Sequence, residues 1–221
     1  MRTRHRTSIS SGRKEIESSR AGPNSYPPTK ISSNLNLPER QMTLIMGNYT
    51  EFLRNLTERL SKDGFSVSRD IMSKPEYKAD PKYNLEFVAT RTQLSVLRNS
   101  WTHVILATTS DIASQDTVRE FSNYGWIFSL FNKTRLVQAS PNQISRVRLA
   151  VVPVIVSESF TDDVRDWIVN NSPPSHGGDQ FEFPVLLATG QKKIYYSQKS
   201  SIWGRAYIKG VRELVEKHLG F

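Results

Sequence analysis

The sequence predicts an α/β fold: a mixed central sheet flanked by helices, with an αβββαβ core followed by a helix, a β-hairpin and a C-terminal helix. Three observations predict it. The runs "NLEFVATR" and "WTHVILATTS" alternate with the period of a strand. "VRLAVVPVIVS" is continuously apolar, as in a strand buried on both faces. "NYTEFLRNLTERLSKDGF" and the stretch from Gly204 to Leu219 carry apolar stripes at helical spacing. The order of these elements fits a two-layer or three-layer plan around one sheet.

Composition bounds the answer. The chain has 221 residues, 37% hydrophobic and 23% charged, which allows one globular domain with a tail. A folded part of about 175 residues would bury about 70% of its unfolded surface, so no metal or disulfide staple is required. The absence of cysteine excludes disulfides, thiolate zinc sites and thiol catalysis; it fits a cytoplasmic protein and is compatible with other compartments. The longest apolar run is interrupted by Pro153 and falls short of the roughly 18 residues a membrane span needs, so no transmembrane segment is expected. The net charge of +9 favours polyanionic partners, nucleic acid or anionic membrane surfaces.

Residues 1–47, rich in Ser, Arg and Pro with few large apolar residues, are predicted to be a disordered tail, leaving residues 48–221 as a single α/β domain. The first fourteen residues hold Arg2, Arg4, Arg6, Arg13 and Lys14 and no acid. They read as a basic arm for nucleic acid or as a transit-like segment, while a true start at Met42 or Met46 would remove them.

The first helix is expected to start at a capping box of Asn48 and Glu51, to bury Phe52, Leu53, Leu56 and Leu60, and to end at Gly64. "FSVSRDI" is a strand. In "NLEFVATR", Leu85, Phe87 and Ala89 are expected on one face, and in "WTHVILATTS", Trp101, His103, Ile105 and Ala107. "DIASQDTVREFSNYGWIFSLFNK" predicts a helix with Val118, Phe121, Trp126 (or Gly125), Phe128 and Leu130 inward. Thr161 to Asn170 is a short helix, with Thr161 as N-cap and Asp162 and Asp163 suiting its positive end. "NNSPPSHGGD" is loop, and "QFEFPVLLATGQKKIYY" is a hairpin turning near Gly190. The last helix buries Tyr207, Val211, Leu214 and Val215.

The αβββαβ order over residues 48–157 resembles the core of the restriction-endonuclease-like, or PD-(D/E)XK, superfamily. That resemblance implies an acid near the second strand and a Glu-x-Lys-type motif on the third, together holding one or two metal ions for phosphodiester cleavage. Glu86, and more loosely Asp80, stand where the first acid would lie. The third strand, Thr102 to Thr108, supplies neither acid nor lysine. A nuclease would have to relocate its ligands, with Glu51, Glu58 and Asp70 as candidates and Mg²⁺ as the cofactor. Without relocation the chain is a relative lacking catalysis and cofactor, or another fold with the same element order.

Other chemistry is thinly represented. His103, a lone histidine beside Trp101, reads as packed and hydrogen-bonded. His5, His176 and His218 fall in tail, loop and last helix, and no nucleophile elbow accompanies them. Gly177 and Gly178 precede a strand, not a helix, so they form a turn and not a phosphate cradle. Asp162 and Asp166 read as a solvated helix face.

The distinctive stretch runs from Thr189 to Arg212. It carries six basic residues, Lys192, Lys193, Lys199, Arg205, Lys209 and Arg212, and no acid, interleaved with Tyr195, Tyr196, Trp203 and Tyr207. Cations neutralise phosphates and aromatic faces stack on unpaired bases, so Lys192, Lys193, Tyr195, Lys199, Trp203, Arg205, Lys209 and Arg212 form the expected nucleic-acid surface. A second acid-free span, Phe121 to Ser157, holds Lys133, Arg135, Arg146 and Arg148. The reading is a non-catalytic nucleic-acid-binding protein with a degenerate nuclease-like core. The alternatives are a scaffold for an acidic protein partner and a metal-dependent nuclease. Oligomeric state is left open.

Overall fold

The computed structural model describes residues 39–74, 77, 82–94, 100–137, 147–177, 180–199 and 205–221, the side chains of 39–49, 72, 94, 100, 205 and 206 excepted. Helix α1 (Glu39–Lys62) leads to strand β1 (Ser66–Ser68), a 3-10 turn (Ile71–Ser73), and strands β2 (Phe87–Leu94) and β3 (Ser100–Ala113). Helices α2 (Gln115–Phe131) and α3 (Lys133–Leu136) precede β4 (Arg148–Phe160) and α4 (Asp162–Asn170). Strands β5 (Phe181–Glu182), β6 (Val185–Ala188) and β7 (Lys193–Tyr196) come next, and α5 (Arg205–Leu219) closes the chain.

The strands form one mixed sheet in the order β1-β2-β3-β4-β6-β7, with β5 also beside β4. Neighbours β1/β2, β2/β3 and β6/β7 are antiparallel. Strand β4 is parallel to β3, β5 and β6. A single row crosses the sheet through Phe87, Ala107, Val154, Val185 and Tyr196. The expected mixed sheet flanked by helices is therefore the observed one.

Alternation along the strands divides the core into two layers. Phe87, Ala89, Ile105, Ala107, Val152, Val154 and Val156 pack beneath Leu53, Leu56 and Leu60 of α1 and Val211, Leu214 and Val215 of α5. Val88, Val104, Leu106, Leu149, Val151 and Ile155 pack beneath Val118, Phe121 and Phe128 of α2 and Val164 and Ile168 of α4. The apolar run of β4 is buried on both faces, which explains its lack of alternation. Pro153, unusual in a central strand, falls between the stretch of β4 that pairs β5 and the stretch that pairs β6. Its ring rests against α2 at Gly125, where an added Cβ would stand 3.4 Å from Pro153 Cγ and Leu106 Cδ1.

Several local expectations need correction. Helix α1 begins at Glu39, well before Asn48, so Asn48 and Glu51 lie within the helix and cap nothing. "ERQMTLIM" is composed of good helix formers that extend it backwards. The part of the expected tail before residue 39 lies outside the described residues. Leu85 joins the α2 layer while Phe87 and Ala89 join the α1 layer, because regular pairing starts only at Phe87. Asp111 to Ala113 extend β3, and α2 starts after Ser114, whose hydroxyl accepts from the Thr117 amide at 3.2 Å. Leu130 is exposed and Tyr124 takes an inward place. Thr161 has the N-cap backbone conformation, but its hydroxyl does not cap α4.

Candidate nucleic-acid interface

The β6–β7 hairpin turns through a 3-10 turn (Thr189–Gln191) and Lys192, which adopts a left-handed conformation at φ 51°. Glycine is required at 190: a Cβ there would lie 2.8 Å from the Glu158 carbonyl oxygen at the end of β4. Lys192 and Lys193 are exposed at this tip, and neither has an ion pair among the described residues. Glu158, also exposed, packs beside Gly190 under the turn.

Beyond the tip, the two tyrosines point to opposite faces of the sheet. The Tyr195 hydroxyl donates to Gln191 Oε1 at 2.8 Å, and its ring packs on Phe160 at 5.3 Å. The Tyr196 hydroxyl donates to Glu216 Oε1 at 2.5 Å, and its ring faces Phe183 at 6.1 Å. Burial, and then Glu216, push the Tyr196 phenol up. Both rings are thus fixed by the fold and do not form one stacking platform.

Past Tyr196 the chain is pinned from two sides. Ser197 Oγ donates to the Asn171 carbonyl at 2.6 Å, and Gln198 N to the Val169 carbonyl at 3.1 Å. Arg212 donates from Nε to the Ser197 carbonyl at 2.9 Å and from a terminal nitrogen to the Lys199 carbonyl at 2.8 Å. Its guanidinium is committed to the backbone, and Lys199 is held exposed beside it. Lys209, exposed on α5, lies 3.8 Å from Glu213. Trp203 and the Arg205 side chain lie outside the described residues.

Tyr207 is a core residue. Its ring stacks on Trp101 at 3.4 Å and meets Phe181 edge-on at 4.9 Å, and burial raises its phenol strongly. The expected basic set therefore separates into the hairpin tip and the Lys199–Lys209 end, on the order of 20 Å apart along an extended strand.

At the nuclease-like positions, Glu86 immediately precedes β2, half-buried, its amide donating to the Ala107 carbonyl at 2.9 Å. Burial raises its carboxyl. Glu51 is exposed on α1, 4.0 Å from Arg54, and Asp80 lies outside the described residues. Glu86 precedes the first paired residue, Phe87, so strand alternation does not fix the face of its side chain. Among the described residues no group of three His, Asp or Glu is placed to hold a metal ion. Asp162 and Asp166 flank Arg165 at 3.1 and 3.0 Å.

His103 is 5% exposed, its Nε2 3.4 Å from the Tyr207 hydroxyl. Burial, reinforced by Arg91 on the facing strand, lowers its pKa to about 4, so the ring is neutral near pH 7.

Two polar clusters had no sequence reading. Glu182, 4% exposed, accepts from Ser122 Oγ and lies 2.5 Å from His176 Nε2, whose ring stacks on Trp126 at 4.0 Å. Both partners meet the carboxylate and not each other, so the geometry clamps loop to helix and builds no serine nucleophile. The only signal was an acid between Phe181 and Phe183 in an otherwise inward-facing segment. Asp63, at the end of α1, accepts from Lys217 Nζ at 2.8 Å and lies 2.9 Å from His218 Nε2 and 3.2 Å from Arg91. This joins α1, β2 and α5. None of the family models matches the chain, and neither a curated protein nor a solved structure matches it.

Proposed function

We propose that the protein binds nucleic acid without cleaving it, mainly through phosphates met by Lys192, Lys193, Lys199 and Lys209. The observation that carries this reading is the hairpin edge, where three exposed lysines occur in a stretch with no acid from Thr189 to Arg212. Phosphate contact needs only solvent-facing cations, and these four ammonium groups are exposed. The aromatic part of the expected surface is reduced, because Tyr195 is engaged within the fold by Gln191 and Phe160.

The nuclease-like part of the proposal is supported by connectivity. A helix precedes an antiparallel meander β1-β2-β3, and α2 crosses to a fourth strand parallel to the third. Glu86 precedes β2, while Glu58 and Asp70 line a cleft with Val67 of β1, and among the described residues no three such groups converge to hold a metal ion, which favours binding over metal-assisted hydrolysis.

Anisotropy titration with a labelled single strand tests the reading. Four phosphate contacts predict that raising salt from about 50 to about 200 mM weakens binding about 50-fold. Replacing the four lysines together by glutamine should abolish both affinity and salt slope. Absence of binding at low salt would refute the proposal, and Mg²⁺-dependent cleavage lost in Glu86→Ala would replace it with the nuclease.

A further inference from the structure

Strand β1 ends the sheet on one side and pairs only with β2. Between this edge and the last turns of α1 lies a cleft of about 670 Å³, a size that suits a small ligand. Thr57 and Val67 line it, and Val67 is its one apolar residue among the described ones, so the ligand it fits is polar.

Arg69 is built into this cleft. Thr57 is 5% exposed, and its hydroxyl donates to the Arg54 carbonyl at 2.9 Å, which leaves the oxygen to accept from a terminal nitrogen of Arg69. The guanidinium is thereby oriented by a neutral oxygen that does not offset its charge. Asp70 follows in a left-handed conformation at φ 55°, and the 3-10 turn is closed by the Ser73 and Lys74 amides, which donate to the Asp70 and Ile71 carbonyls at 3.1 Å. Ile71 is fully buried, so the turn is anchored and Lys74 is held on the cleft. Backbone strain at a residue other than glycine concentrates where ligands are held.

Glu58 and Lys62 of α1 complete the rim. They stand at the i, i+4 spacing of an ordinary helix pair and do not pair. Among the described residues, Glu58, Lys62, Arg69, Asp70 and Lys74 enter no ion pair. Three cations and two acids therefore line one cleft with their charges uncompensated.

We propose that this cleft binds a phosphorylated sugar, free or as part of a mononucleotide. The phosphate meets Arg69, Lys62 and Lys74, and sugar hydroxyls donate to Glu58 and Asp70. Three cations suit a doubly charged phosphate better than the single charge of a carboxylate. Carboxylates only accept, so whatever lies beside Glu58 and Asp70 must bring donors, and inorganic phosphate meets repulsion there. A metal ion fits poorly, because two carboxylates stand against three cations and no three ligands converge among the described residues. A peptide strand fits poorly too, because β1 offers an edge of three residues. Lys192 and Lys193 lie at the β7 edge, about 24 Å away across the sheet, so the cleft is independent of the nucleic-acid reading.

Calorimetric titration of the full-length protein at low salt tests the proposal, with a thermal melt of each variant checking its fold. Ribose 5-phosphate should bind at least about tenfold more tightly than inorganic phosphate, and glutamate should not bind. Arg69→Gln should weaken ribose 5-phosphate at least about tenfold. Lys62→Gln serves as a second, milder variant that leaves the Thr57 anchor in place. Glu58→Gln with Asp70→Asn should weaken ribose 5-phosphate and leave inorganic phosphate unchanged or tighter, since asparagine tolerates the left-handed backbone. Lys192→Gln with Lys193→Gln should leave the affinity intact. AMP binding as tightly as ribose 5-phosphate assigns the nucleotide as the source of the ligand, and weaker AMP binding assigns the free sugar phosphate. Absence of ribose 5-phosphate binding overturns the proposal, and so does binding that a folded Arg69→Gln retains in full. Equal affinity for ribose 5-phosphate and inorganic phosphate overturns it in favour of a simple anion site, and glutamate binding in their place overturns it in favour of an amino-acid site.

Discussion

Arg212 holds Lys199 by its backbone: the guanidinium donates to the Lys199 carbonyl at 2.8 Å and to the Ser197 carbonyl at 2.9 Å. Two cations that look equivalent in the sequence therefore have different roles. Arg212 is a strut between α5 and the strand end, and Lys199 is the charge that the strut presents. Arg212→Ala should cost about 2 kcal/mol of stability, because two charge-assisted donors are lost. Lys199→Gln should cost almost nothing in stability and reduce the salt slope of nucleic-acid binding by about 0.7. Urea melts and anisotropy at two salt concentrations separate the pair. Equal effects of the two substitutions on the slope would contradict the assignment.

His103 predicts the acid side of the stability profile. Its folded pKa of about 4 lies below the ordinary 6.5, so below pH 6.5 the unfolded chain binds the proton first. Stability from the buried neutral ring is complete above pH 6.5 and is lost as pH falls toward 4, by about 3 kcal/mol at most. His218, also lowered by burial, acts in the same direction. The urea midpoint should therefore drop between pH 7 and 4.5, and His103→Gln should flatten that drop even though it lowers stability at pH 7. A profile in His103→Gln parallel to that of the parent chain would place the titration elsewhere.

Much of this fold was legible because its signals are local. The unbroken apolar run of β4, the hairpin turn at Gly190 and the stripe Val211, Leu214, Val215 each follow from spacing within one element. Leu85 was misplaced because alternation cannot say where pairing begins, and regular pairing starts at Phe87. The inward place of Tyr207 was legible from the helical stripe, but its partner, the Trp101 ring on β3, was not. The role of Arg212 was hidden for a related reason, since its partner is a carbonyl thirteen residues away, a relationship that only the packed chain creates. Glu182 was hidden likewise, since Ser122 lies 60 residues away.

Glu182 should show the cost of a buried acid deprived of its shape. Glu182→Ala removes the acceptor shared by Ser122 and His176, leaving a buried hydroxyl unpaired and a cavity between loop and α2. A loss of about 3 kcal/mol is expected, against about 1 kcal/mol for Ser122→Ala, which removes one bond and leaves His176 in place. Chemical denaturation measures both. Equal costs would mean that the imidazole contact contributes nothing.

Asp63 should matter for acid resistance. Lys217, His218 and Arg91 converge on it, and the hydrogen bond from Lys217, ahead of the charges of His218 and Arg91, holds its carboxyl below the usual range. A depressed carboxyl contributes stability that is present above its unfolded pKa and is lost as pH falls through the lower folded value. Asp63→Asn should lower the melting temperature at pH 7 and leave a smaller further loss on acidification than the parent chain shows. An unchanged melting temperature would mean that the junction of α1, β2 and α5 does not depend on this carboxylate.

Lys192 sets stability against binding at a single position. It sits at φ 51° in the turn, where a side chain strains the backbone and glycine does not. Glycine gives back part of that gain through the greater entropy of the unfolded chain, so Lys192→Gly should stabilise the protein by about 0.5 to 1 kcal/mol. The same change removes a phosphate-binding charge and should weaken nucleic-acid affinity, lowering the salt slope by about 0.7. Lys193→Gln should weaken binding to a similar degree without stabilising the fold, because Lys193 is in extended backbone on β7. If Lys192→Gly raised the melting temperature and left affinity intact, the strained lysine would have no part in the interface and the phosphate contacts would have to be sought at the Lys199–Lys209 end.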